Sequence, residues 1–116
     1  MSNPTPFACD MAALTGEQRT RHHALAVLLQ SSLVATRELP RGYDFEFAWK
    51  QEIYDALAEI TLLEHACCPF FDIGIRIESE NSKLFWRLAG REGIKPFIRA
   101  EFGVLFASIA QGTREG

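Results

Sequence analysis

Apolar and polar positions along the chain change period several times, and each change marks an element. Thr15 followed by Gln18 has the spacing of a capping box, which predicts a helix opening there. An apolar stripe of Leu25, Leu28, Leu29 and Leu33 carries that helix to about Arg37, and Pro40-Arg41-Gly42 ends it with turn chemistry. Tyr43 to Trp49 then alternates aromatic with small or acidic residues, the pattern of a strand with one wet face. From Lys50 the period becomes helical, with Ile53, Ala56, Leu57, Ile60, Leu63 and Cys67 on one side. Pro69 disfavours helical backbone at Cys68, so this second helix stops at about Cys67.

Phe71, Ile73, Ile75 and Ile77 alternate with Asp72, Gly74, Arg76 and Glu78 as a second strand. Glu80-Asn81-Ser82 turns the chain into a third, with Leu84, Trp86 and Leu88 inward. After a loop from Gly90 to Gly93, Pro96 suits the first turn of a last helix, whose core face is Phe97, Ile98, Phe102, Leu105 and Ile109. The expectation is a single α+β domain over residues 1–116 in the order α-β-α-β-β-α. A small three-stranded sheet carries helices on one face, and residues 1–16 form an arm bearing Cys9.

Composition narrows the function. A chain of 116 residues buries a core without needing disulfides or structural metals. A net charge of −3 argues against nucleic acid as the main partner, because phosphate binding needs a basic face. The apolar runs are too short to span a bilayer, and the first residues lack the basic and apolar regions of a signal peptide. Three cysteines, an odd number, do not form a secreted disulfide framework, so a cytoplasmic setting with free thiols is expected.

The chemistry gathers at Glu64-x-x-Cys67-Cys68-Pro69. With Ile53 set to zero and about 100° per residue, Glu64 falls at roughly +20°, between Leu57 at roughly +40° and Ile60 at roughly −20°. An acid in the middle of a core face needs a partner, since an unpaired buried carboxylate is costly. Arg21 and His22 on the first helix are the candidates, and Cys67 and Cys68, three and four residues on, are its helical neighbours. A helix C-terminus and an adjacent acid both disfavour a thiolate, whereas a bound cation reverses that balance. Adjacent Cys67 and Cys68 are too close, at about 3.8 Å between Cα atoms, for an unstrained mutual disulfide. Cys67, Cys68 and Glu64 therefore read as ligands for a soft ion of the zinc, mercury or arsenic type, with Glu64 the only candidate for proton transfer; Cys9, far away in the sequence, stays an open candidate for the further donor such a site needs. Alongside stands a plainer reading, in which the cysteines are small core residues and Glu64 is merely paired.

The segments Phe7-Ala8-Cys9-Asp10, Ala13-Leu14-Thr15 with Gln18-Arg19-x-Arg21-His22, Arg37-Glu38-Leu39-Pro40-x-Gly42-Tyr43-x-Phe45, Leu63-Glu64-x-x-Cys67-Cys68-Pro69-Phe70-Phe71 and Gly90-Arg91-Glu92-Gly93-Ile94-Lys95-x-Phe97 together resemble a family of small bacterial proteins without an assigned activity. Through Phe7-Ala8-Cys9-Asp10 that resemblance is what draws Cys9 in as the further donor. The E-x-x-C-C-P-F-F portion is similar to the domain that follows the DNA-binding half of some mercury-resistance-type regulators. That resemblance implies ligand or metal sensing; this chain carries no helix-turn-helix half. By residue type alone, two thiols and an acid also match the parts that organomercurial lyases use. Three functions follow: binding of a soft ion or thiol-reactive ligand; thiol- or metal-dependent catalysis on a small electrophilic or organometallic substrate; or a structural, protein-interaction domain with core cysteines. The expected partners are a small ligand or metal ion, with no nucleic acid and no membrane, and a homodimer is compatible with the sequence.

Overall fold

A computed structural model describes residues 7–103, 105 and 106. Helix α1 spans Gly16–Ser32 and is capped as the Thr15–Gln18 spacing predicts: Gln18 N–H donates to Thr15 Oγ1 at 3.0 Å, and Thr15 N–H to Gln18 Oε1 at 2.8 Å. The helix ends at Ser32, where the hydroxyls of Ser31 and Ser32 donate back to the Leu28 carbonyl. The helix does not continue to Arg37 as expected, because Leu33–Leu39 is a strand, β1. Its partner β2, Gly42–Ala48, runs antiparallel to it with Leu39 opposite Gly42, so Pro40-Arg41 is a two-residue hairpin turn rather than a helix terminator. Leu33 belongs equally to a helical stripe and to a strand face. Long-range pairing with β2 decides between them.

Helix α2 covers Gln51–Cys67, strand β3 Asp72–Glu78, strand β4 Lys83–Ala89 and helix α3 Ile94–Glu101. The order is thus α-β-β-α-β-β-α, still α+β but with four strands in place of three. The sheet order is β1-β2-β4-β3 and every neighbouring pair is antiparallel. Strands β2 and β3, joined by α2, run in the same direction with β4 inserted between them.

One sheet face is apolar, built from Phe45 and Phe47 of β2 and Leu84, Trp86 and Leu88 of β4, all fully buried. Trp86 ties two helices to that face: its indole N–H donates to Thr61 Oγ1 of α2 at 2.9 Å, and its ring meets Phe102, just beyond α3, edge-on at 5.7 Å. Ile94, Ile98, Phe102 and Leu105 supply the α3 side of the core, and Ile109 lies outside the described residues. Pro96 does sit in the first turn of α3. The wet face expected of β2 is only partly wet. Asp44 is 3% exposed, held by the Arg87 guanidinium at 3.1 and 3.2 Å, since an interior strand is covered by long side chains from its neighbours. Trp49 falls beyond β2 and packs near the Tyr54 ring instead.

Candidate functional site

The end of α2 places Glu64 and Cys67 on the buried face and Cys68 at the C-cap, where Cys68 N–H donates to the Glu64 carbonyl at 2.6 Å. Pro69 and Phe70 then lead into β3, with Phe71 N–H donating to the Cys68 carbonyl at 3.2 Å. Glu64 is 2% exposed, Cys67 1% and Cys68 0%, so all three point into the core. The positions of Glu64 and Cys67 follow from the helical phase read in the sequence, because α2 runs without a break from Gln51 to Cys67.

Cys9 arrives from the other end of the chain. Asp10 N–H donates to the Cys67 carbonyl at 2.7 Å, which pins the arm across the α2 terminus. Phe7 packs its ring 5.2 Å from Phe70 and 6.0 Å from Phe97, beneath the Arg91 guanidinium at 4.2 Å. Leu14, buried in the core, anchors the far end of the arm, and Arg19 donates to its carbonyl at 2.8 Å. Phe70 and Phe71 thus belong to an aromatic cluster with Phe7 and Phe97 that fastens the arm over the site. The part Phe7 and Arg91 take in holding Cys9 was not foreseen from the sequence; the aromatic residues two before Cys9 and two after Cys68 were the available signal.

Cys9 and Cys68 are joined by a disulfide across 59 residues, with Cα atoms 4.7 Å apart, inside the range that such bridges span. Two of the three thiols expected to be free are therefore paired, because the anchored arm places Cys9 against Cys68. Cys67 keeps its thiol, with its sulfur 3.6 Å from that of Cys68. Ligand atoms of Cys9, Glu64, Cys67 and Cys68 all lie within 4.8 Å of one another.

Glu64 finds the partner that burial requires in His22 of α1, whose Nε2 contacts Oε2; the second oxygen, Oε1, is buried with no hydrogen-bond partner among the described residues. Arg21, the other candidate, pairs with Glu59 on the outside of α2 at 2.6 and 2.8 Å. The bond to Glu64 raises the His22 pKa above its ordinary value, against the lowering effect of burial. Burial, followed by the negative charge of Glu64, pushes the Cys67 thiol up to about 11. At neutral pH Cys67 is then a protonated thiol and a poor nucleophile by itself. Glu101, at the end of α3, also has its pKa raised, first by burial and next by Glu64, so a second acid shares the surroundings of His22.

No helix among the described residues is long and apolar enough to cross a membrane. Compared with family models, curated proteins and solved structures, the chain shows no significant match.

Proposed function

We propose that, with its cysteines reduced, the protein binds a soft metal or metalloid ion through Cys9, Cys67 and Cys68, with Glu64 as a further donor and counter-charge. The observation that carries this reading is the convergence of three sulfurs and a carboxylate oxygen within 4.8 Å, beside a buried carboxylate oxygen that no group among the described residues satisfies. Sulfurs bonded to one tetrahedral zinc at about 2.3 Å stand about 3.8 Å apart. Cys67 and Cys68 already lie 3.6 Å apart. The Cys9 and Cys68 sulfurs would have to separate from bonding contact, a small adjustment for an arm held by its own anchors. A cation also reverses the unfavourable electrostatics of Cys67, since coordination deprotonates a thiol outright. His22, contacting Glu64 Oε2, has the place of an outer partner that orients a ligating carboxylate.

Burial of Glu64, Cys67 and Cys68 favours holding an ion over turning over an organometallic substrate, which needs an open coordination position. The pattern Glu64-x-x-Cys67-Cys68-Pro69-Phe70-Phe71, read as similar to the domain behind the DNA-binding half of some mercury-resistance-type regulators, implies the same class of ligand. Native mass spectrometry of reduced protein with zinc, mercury(II) or arsenite tests the reading. One ion per chain is expected, sharply weakened by Cys67→Ser, Cys68→Ser and Glu64→Gln. Failure of all three ions to bind wild type above a cysteine-free control would overturn it in favour of the structural role.

A further inference from the structure

We propose that the Cys9–Cys68 disulfide and the bound ion are alternative occupants of one site, so that oxidation closes the site and expels the ion while reduction reopens it. This inference rests on the ion-binding reading and adds its regulation. The two states need the same atoms: Cys9 and Cys68 are both in the bridge and both in the cluster whose ligand atoms lie within 4.8 Å. A disulfide sulfur carries no thiolate charge, so the bridge removes two of the three anionic sulfur donors at once.

The arm needs no bridge to stay in place. Phe7 against Phe70 and Phe97, Leu14 in the core, and the Asp10 N–H to Cys67 carbonyl bond at 2.7 Å are independent of the sulfur chemistry. Reduction therefore leaves Cys9 beside Cys67 and Cys68 instead of releasing it, and the choice between bridge and ion is made over a few ångströms. Loop closure, which normally opposes bringing together groups so far apart in sequence, is met by the arm's own contacts.

Exposure sets the order of events. Cys9 is partly exposed, whereas Cys68 is fully buried behind it. A peroxide attacks at Cys9: the thiolate sulfur takes one oxygen as the O–O bond breaks, giving a sulfenic acid, with the other oxygen leaving as water after protonation. The Cys68 thiolate then attacks the Cys9 sulfur, the S–O bond breaks, and a second water departs after protonation. In sum two thiolates lose two electrons to one peroxide, two protons come from solvent, and the ion is left with Cys67 and Glu64. Two equivalents of an external thiol reverse the bridge by exchange.

The test uses full-length reduced protein loaded with zinc, stripped of excess metal and treated with hydrogen peroxide in steps up to one equivalent. Zinc release is read with a chelating dye, and the linkage is read by peptide mapping without reduction. One zinc should leave per disulfide formed, the new bond should be Cys9–Cys68, and added thiol should restore uptake. Oxidised wild type should bind zinc about 100-fold or more weakly than reduced protein, as expected for loss of two thiolates. In Cys9→Ser no Cys9–Cys68 bridge forms, and the zinc that this variant holds should stay bound at one equivalent of peroxide. Retention of zinc through complete Cys9–Cys68 formation would overturn the gate while leaving ion binding intact, as would release accompanied by a different linkage or by sulfinic acid. Reduced wild type that takes up no ion at all removes the ion-binding reading itself, and the gate with it.

Discussion

Replacing Cys9 by alanine opens a cross-link between positions 59 residues apart, and its cost follows from that separation. Tying two such positions together removes loop-closure freedom from the unfolded chain worth about 4 kcal/mol at 25 °C. Spread over 116 residues, the unfolding entropy is roughly 0.24 kcal/mol/K, so the variant should melt about 17 °C below the oxidised wild type. The folded state itself should change little, because Phe7, Leu14 and the Asp10–Cys67 backbone bond still hold the arm. Thermal unfolding followed by far-UV circular dichroism, with and without reductant, reads the effect. Reductant should bring the wild type down to the level of the variant and leave the variant unmoved. Saturating zinc should raise the reduced wild type again, by about 2.7 kcal/mol at a concentration 100 times its Kd. A variant melting within about 3 °C of the oxidised wild type would refute the reasoning, since a bridge that closes so long a loop cannot be nearly silent.

Contact with Glu64 raises the His22 pKa, so protonated His22 stabilises the fold; that contribution is fully present below about pH 6.5 and is lost as pH rises through the elevated folded pKa. An NMR titration of the imidazole that gave a midpoint at or below the ordinary value would contradict the pairing, and Glu64→Gln should lower the midpoint. Gly42→Ala places a Cβ 2.0 Å from the Leu88 carbonyl oxygen and 2.6 Å from Ala89 Cα, backbone atoms that cannot swing aside. Urea denaturation should show a loss of about 1–3 kcal/mol or more, and a neutral result would mean that β2 and β4 are not so closely paired at that end. Thr15→Ala removes the capping hydroxyl of α1 and should cost about 1 kcal/mol in the same assay, leaving ion uptake unchanged.

The site was more legible in the sequence than the sheet. Glu64 and Cys67 share one uninterrupted helix and Cys68 caps it, so their convergence follows largely from the helical repeat; the need of a buried acid for a partner left Arg21 and His22 both open, and only the structure separates them. The disulfide was not legible. Nothing local relates Cys9 to Cys68, and the contacts that bring them together run through Phe7, Phe70 and Phe97, which are far apart in the chain. The missing strand had a similar cause. Leu25, Leu29 and Leu33 share one helical period, and only the register of Leu33–Leu39 against β2 shows where the helix gives way. Asp44 was read as wet because an alternating pattern reports which face a residue is on, and not which neighbouring side chains cover that face.

Zinc K-edge X-ray absorption on the reduced, zinc-loaded protein reads the donors around the ion directly. A shell of three sulfur atoms at about 2.3 Å with one lighter oxygen or nitrogen donor at about 2.0–2.2 Å is expected. Cys9→Ser should lose one of the three sulfurs. A shell made entirely of oxygen and nitrogen, or three sulfurs that persist when Cys9 is replaced, would contradict the proposed ion site.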